Sequence, residues 1–147
     1  MTLEDQIRLQ AKELEFDLIR IYSVGKLEED ADFFRTWLKK GYAGSMDYLK
    51  KNPEKRSDPE KILPGAKSII CLAVNYFQKS SGTVQIASYA LGRDYHKVIE
   101  KKLKKLCRLI DTKTKYVDYG PVFERSFSQK AGMGFIGKNT CLITREF

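Results

Sequence analysis

Gly132-Met133-Gly134-Phe135-Ile136-Gly137-Lys138 satisfies the dinucleotide pattern GxGxxG, and followed by Asn139 it falls one residue short of the phosphate loop GxxxxGK plus Ser or Thr. Either motif would make the chain a doubly wound nucleotide-binding fold. Both mechanisms need a strand before the glycines and a helix after them, so that the amino end of the helix meets the phosphates. Here residues 124–131 read as helix and residues 140–144 as strand, so the order is reversed. Asn139 stands where a magnesium-holding hydroxyl is required, and the eight residues after it supply no acidic metal or ribose partner in a suitable place. The stretch reads instead as a glycine-rich helix exit whose backbone passes close to another segment.

Outward from this stretch, the pattern alternates helix and strand. Thr2-Leu3-Glu4-Asp5 is a capping box, and Leu3, Ile7, Ala11 and Leu14 recur at helical spacing, which predicts a first helix to about residue 15. Residues 16–24 read as a strand. A second helix opens on Glu28, Glu29 and Asp30, carries Phe33, Phe34, Trp37 and Leu38 on one face, and closes on Lys39-Lys40-Gly41. Residues 46–51 suggest another helical turn, residues 52–59 an exposed proline-punctuated connection, and Ile62-Leu63-Pro64-Gly65 a turn. Residues 68–77 form the predicted central strand, ended by the flexible Lys79-Ser80-Ser81-Gly82-Thr83. Asp94 caps a long helix to about residue 111, with Val98, Ile99, Leu103, Leu106, Cys107 and Ile110 inward and Lys97, Lys101, Lys104, Lys105 and Arg108 outward. A short strand is read at residues 116–118. The fold class is α/β of the α+β kind, a mixed central sheet flanked by helices, in one domain over residues 1–147.

Composition narrows the functions. With 147 residues, 42% hydrophobic and 31% charged, the chain can bury one core and is neither disordered nor fibrous. No apolar run approaches a bilayer span, and the acidic residues among the first fifteen do not suit a cleaved leader, so a cytoplasmic protein without membrane contact is expected. Cys71, Cys107 and Cys141 are widely spaced and each lies in an apolar setting, which reads as three buried reduced thiols. A net charge of +8 favours polyanionic partners, nucleic acid first among them.

Three features could carry chemistry. Asp118 ends an apolar run before Tyr119-Gly120-Pro121, where it serves either as a turn initiator or as an acid at a sheet edge. His96, the one histidine, sits in Arg93-Asp94-Tyr95-His96, either as a packing residue or as part of a polar loop able to hold a large ligand. The basic helix face is either a solvated surface or a phosphate-tracking one.

Read together and in order, the motifs resemble the epoxyqueuosine reductase family. They are Ser88-Tyr89-Ala90-Leu91-Gly92-Arg93-Asp94-Tyr95-His96, Val117-Asp118-Tyr119-Gly120-Pro121-Val122-Phe123-Glu124-Arg125 and Lys130-Ala131-Gly132-Met133-Gly134-Phe135-Ile136-Gly137-Lys138-Asn139, with Gly41 to Leu49 and Arg56 to Ala66 upstream. The resemblance implies a fold similar to the cobalamin-binding domain of reductive dehalogenases. It implies reduction of epoxyqueuosine to queuosine at the wobble position of transfer RNA, with cobalamin doing the hard chemistry and Asp118 as the general acid. An acid working near neutral pH is expected to have its pKa raised by partial burial. By the same resemblance Arg56, Ala87, Tyr89, Asp94, Tyr95, His96, Lys138, Asn139 and Leu142 line the cobalamin pocket, and no residue of the chain is assigned as a metal ligand.

Family members go on to a part whose cysteines hold two 4Fe-4S clusters. Three scattered cysteines cannot hold them, since each cluster takes about four thiolates. The chain is therefore expected to be the amino-terminal part of the enzyme, inactive alone, with the iron-sulfur part missing or on a separate polypeptide. Of these, truncation is expected. The alternatives are a basic module that binds transfer RNA without chemistry, and a cobalamin-dependent reductase of another substrate.

Overall fold

A computed structural model describes residues 1–77 and 86–146 of the chain; the segment expected to be flexible, residues 79–83, lies outside the described residues. The chain divides into two compact units, one of Met1–Ile19 with Leu72–Gly120 and one of Arg20–Cys71 with Pro121–Glu146. The elements are α1 (Leu3–Glu13), β1 (Leu18–Ser23), α2 (Glu28–Lys39), β2 (Ser68–Ala73), α3 (Tyr95–Leu109), α4 (Glu124–Lys130), β3 (Phe135–Ile136) and β4 (Leu142–Ile143), with short 3-10 turns between them. Helices and small sheets mix as an α+β fold should. The described strands form two separate two-stranded sheets, β1 with β2 and β3 with β4, where a single central sheet was expected.

In the first unit, α1 begins as its capping box dictates. Thr2 Oγ1 accepts from the Asp5 N–H at 3.1 Å and the Asp5 carboxylate accepts from the Thr2 N–H at 2.8 Å, an arrangement that contributes about 1 kcal/mol to such a helix. Ile7 and Ala11 turn inward. Ala11, Phe16, Leu103 and Val117 form the buried core of this unit, joined by Leu14, Ile19, Leu72, Val74, Tyr95 and Ile99. Helix α3 is long because its apolar residues keep to one side, although Val98, expected inward, is exposed. β2 stops at Ala73 instead of residue 77. The Asn75 N–H donates to the Asp17 carboxylate at 2.8 Å and the Phe77 N–H to Asn75 Oδ1 at 2.9 Å, so side chains take the bonds a strand ladder would need.

In the second unit, aromatic rings organise α2. Phe34 stacks on Trp37 at 5.9 Å and meets Phe123 edge-on at 5.2 Å. Phe33, expected on this inner face, is 72% exposed, while Ala31 is buried and Phe34 half-buried. The connection at residues 52–59 was expected to be exposed, yet it buries Ser57 and Asp58. The Leu27 N–H donates to Ser57 O at 3.0 Å, and Asp58 accepts from the Glu60 N–H at 3.2 Å with Lys26 Nζ 3.6 Å away. Burial is tolerated because the polar groups are paired. β3 and β4 are antiparallel, with Phe135 opposite Ile143 and Ile136 opposite Leu142. Cys71 is buried and Cys107 half-buried, but Cys141 is exposed, since its backbone is held in the tight β3–β4 connection while the side chain stays outside.

Candidate functional site

Asp118 does not extend a strand. The segment at residues 116–118 was expected to be one, but Asp118 has φ +60° and the Tyr119 N–H donates to Val117 O at 2.8 Å, closing a tight turn around it. A positive φ is costly for a residue with a Cβ and is best tolerated by Asn and Asp. Asp118 is therefore the apex of the turn, not its initiator. Val117 on one side is buried and Asp118 is exposed, so the turn lifts the carboxyl away from the core that anchors it. Gly120 completes the bend: a Cβ there would meet the Tyr116 ring at 2.6 Å.

The start of α3 faces this carboxyl within the first unit. Asp94 caps the helix, accepting from the His96 N–H at 3.0 Å and lying 3.1 Å from His96 Nδ1; these bonds hold the Asp94 carboxyl below the usual range. Capping sets the first turn, and the first turn aims Tyr95, whose hydroxyl donates to Asp118 Oδ2 at 2.5 Å. The Tyr95 ring stacks on His96 at 4.1 Å and meets Tyr89 edge-on at 6.1 Å. Tyr76 extends the row beyond Tyr89 at 6.4 Å, and Tyr119 lies 6.3 Å from His96. Tyr76, Tyr89 and Tyr119 are all more than half exposed.

The fold thus brings together four of the residues expected from sequence: Tyr89, Tyr95, His96 and Asp118, with Asp94 fixing the helix start. It adds Tyr76 and Tyr119, which sequence reading missed; only their closeness to a strand end and to Asp118 hinted at them. Ala87 is exposed at the start of the 3-10 turn that carries Tyr89. The other four expected residues lie in the second unit. Arg56 spreads its guanidinium over Phe34 at 5.7 Å, and its buried Nε has no hydrogen-bond partner among the described residues. Its carbonyl accepts from the Phe123 N–H at 2.8 Å. Lys138 is exposed, Leu142 lies in β4, and Asn139 Oδ1 accepts from the Cys141 N–H at 3.2 Å, a bond that shapes the β3–β4 turn.

Chemically, the row of exposed rings in the first unit offers flat apolar faces with hydroxyl and imidazole edges, and it suits a large planar ligand with a polar rim. The Asp118 carboxyl, a group that can take up or release a proton, stands beside Tyr95 in that row. Two phenols are pushed up to about 12, Tyr95 mainly by its bond to Asp118 and Tyr22 of the second unit mainly by burial. A raised pKa in the folded state stabilises the fold below the unfolded value of 10.0, and that contribution is lost as pH rises through about 12. In an ultraviolet titration a late phenol component is expected near pH 12, and Tyr95→Phe is expected to shrink it. A late component untouched by that substitution would show that Asp118 does not hold the Tyr95 proton.

Residues 56–122 match the family model described as "Epoxyqueuosine reductase QueG, DUF1730". The chain is similar to epoxyqueuosine reductases along nearly its whole length. It is 41% identical to the epoxyqueuosine reductase of Gloeobacter violaceus, with 97% of this chain and 47% of that protein covered. Among solved structures, an epoxyqueuosine reductase with an epoxyqueuosine-modified tRNA-Tyr stem loop superposes with a TM-score of 0.84 at 26% identity, covering 97% of this chain and 41% of that one. The Bacillus subtilis enzyme, described with an aspartate catalytic loop swung out of the active site, superposes with a TM-score of 0.78 at 25% identity, covering 97% and 41%. The chain spans about half the length of the curated relatives it matches. No helix among the described residues is long and apolar enough to cross a membrane.

Proposed function

We propose that the chain is the cobalamin-binding portion of an epoxyqueuosine reductase, a single domain over residues 1–147, in which Asp118 delivers a proton to the departing epoxide oxygen. The observation that carries this reading is the Asp118 carboxyl gripped by Tyr95 at the edge of an exposed ring row, in a chain whose relatives bear that name. Conversion of an epoxide to an alkene consumes two electrons and two protons and releases water. Cobalamin, when bound, supplies the reducing centre.

The protein residues supply the rest. Ala87, Tyr89, Asp94, Tyr95 and His96 are the residues proposed to hold the cofactor, and the ring row fits its flat, polar-edged shape. Arg56, Lys138, Asn139 and Leu142 are carried to the same role on the resemblance alone. Tyr95 donates to Oδ2 of Asp118 and fixes the carboxyl in place, so the proton that Asp118 delivers is proposed to be carried on its other oxygen. The electrons are proposed to come from an iron-sulfur part outside this chain with two 4Fe-4S clusters. The substrate is proposed to be a transfer RNA bearing epoxyqueuosine, as in the solved stem-loop complex, and the setting the cytoplasm.

The test is an ultraviolet-visible spectrum of the chain after incubation with hydroxocobalamin and desalting. Corrin absorbance near one equivalent is the expected result. None retained would move a basic RNA-binding module without chemistry to the front.

A further inference from the structure

The charge of the chain is not spread evenly, and α3 carries the sharpest concentration. Lys97, Lys101, Lys104, Lys105 and Arg108 follow one another at steps of four, three, one and three residues. At 3.6 residues per turn they fall within an arc of about 100° and extend roughly 16 Å along the axis. All five are exposed, while Leu103 and Leu106 are buried on the other side. The stripe is not cancelled by neighbouring carboxylates. Glu100 is 3.3 Å from Lys104 and 4.0 Å from Lys115, but among the described residues no carboxylate lies within ion-pairing distance of Lys101, Lys105 or Arg108. Lys102, the one basic residue of the helix turned aside, is spent on Glu15, whose carbonyl and carboxylate it meets at 3.1 and 3.3 Å.

Such a face is costly as a mere solubility device, because like charges four residues apart repel along a helix. A row of counter-charges removes that cost. Successive cations i and i+4 stand about 6 Å apart along the axis, close enough together for neighbouring phosphates of one strand to meet them in turn. Long flexible lysines suit phosphates, which carry no base information and need only charge. The stripe begins at Lys97, directly after Asp94, Tyr95 and His96, so a strand lying along it would run toward the end of α3 that faces Asp118.

We infer that the outer face of α3 is a docking surface for the phosphate backbone of an RNA stem, with Lys101, Lys105 and Arg108 as its centre. The inference rests on the proposed function in taking transfer RNA as the partner, but its evidence is separate. The test uses the 147-residue chain and a fluorescein-labelled transfer-RNA anticodon stem-loop, titrated across a salt series. The variant is Lys101→Gln, Lys105→Gln, Arg108→Gln, and the control removes the same charge at three exposed sites elsewhere, Lys12→Gln, Lys39→Gln, Lys61→Gln. Gln is a good helix former, so both should fold, as circular dichroism would check.

The stripe variant is expected to bind roughly tenfold or more weaker, with the salt slope reduced by about 2–3 units, one for each lost phosphate contact. The control is expected to change far less. Equal weakening of both would overturn the docking face in favour of diffuse attraction, and unchanged binding in the stripe variant would overturn it outright. Corrin retention, measured on the same samples, keeps the two readings apart: loss of corrin binding with a stripe effect intact removes the cobalamin reading alone, and the reverse removes this one alone.

Discussion

Asp118→Asn, placed in a full-length reductase that carries this sequence together with its iron-sulfur part, is expected to lower epoxide reduction by about 10²–10⁴-fold. The substitution isolates the proton. Asn tolerates the positive φ of +60° nearly as well as Asp, and its side-chain oxygen can still accept the Tyr95 hydroxyl bond that measures 2.5 Å here. The turn, the ring row and the start of α3 should therefore be unchanged, and corrin uptake with them. What Asn cannot do is give up a proton to an oxygen leaving carbon. If the variant turns over at the full rate, Asp118 is a turn residue and the acid must be sought elsewhere, with water or a substrate hydroxyl as the next candidates. If turnover falls but corrin retention falls in parallel, the aspartate supports the pocket and its role as acid is not needed to explain the loss. Measuring both on one preparation separates the three cases.

Much of this arrangement was legible in the sequence because local chemistry decides it. The Thr2 capping box and the Asp94 cap each place a helix end where the structure has it, since a capped N-terminus satisfies donors within a few residues of itself, while α2, which has no side-chain cap, starts on acidic residues that suit the helix dipole. Asp94 matters beyond its own helix, because the turn it fixes is the one that aims Tyr95. The errors fall where distant side chains decide. Nothing near Asn75 announces that the Asp17 carboxylate will take its N–H and end the strand. Residues 52–59 read as a charged surface loop, yet Leu27 and Phe123 bond to its carbonyls and draw it inward. Asp118 was legible as a candidate acid but not as the apex of a turn, because the apolar run before it fits an extended segment equally well. Its partner was visible in sequence only as one of several tyrosines, and the 2.5 Å bond between them spans 23 residues.

The glycine-rich stretch supplies the second large effect, on stability. Gly134→Ala is expected to destabilise the chain by about 2–4 kcal/mol, because the new Cβ would run into Ile143 O and stand 2.8 Å from Ile143 C and 3.2 Å from Thr144 Cα. All three are backbone atoms, so no rotamer change relieves the clash. Either β4 moves away from β3, breaking the pairing of Phe135 with Ile143, or the helix exit shifts. The neighbouring glycines calibrate this result. At Gly132 a Cβ would meet nothing within 4 Å, and the penalty is only that of φ +78°, about 1–2 kcal/mol. At Gly137 the Cβ would meet the ends of the Ile143 and Asn139 side chains, at 2.7 and 2.8 Å, which can give way. Urea unfolding of the three alanine variants should therefore rank Gly134 as the most sensitive. A Gly134→Ala midpoint no lower than that of Gly132→Ala would mean that the close approach is not required. The same ranking bears on the nucleotide motif: glycines that served a phosphate would be limited by the ligand, whereas these are limited by Ile143, the residue that pairs with the strand inside the motif.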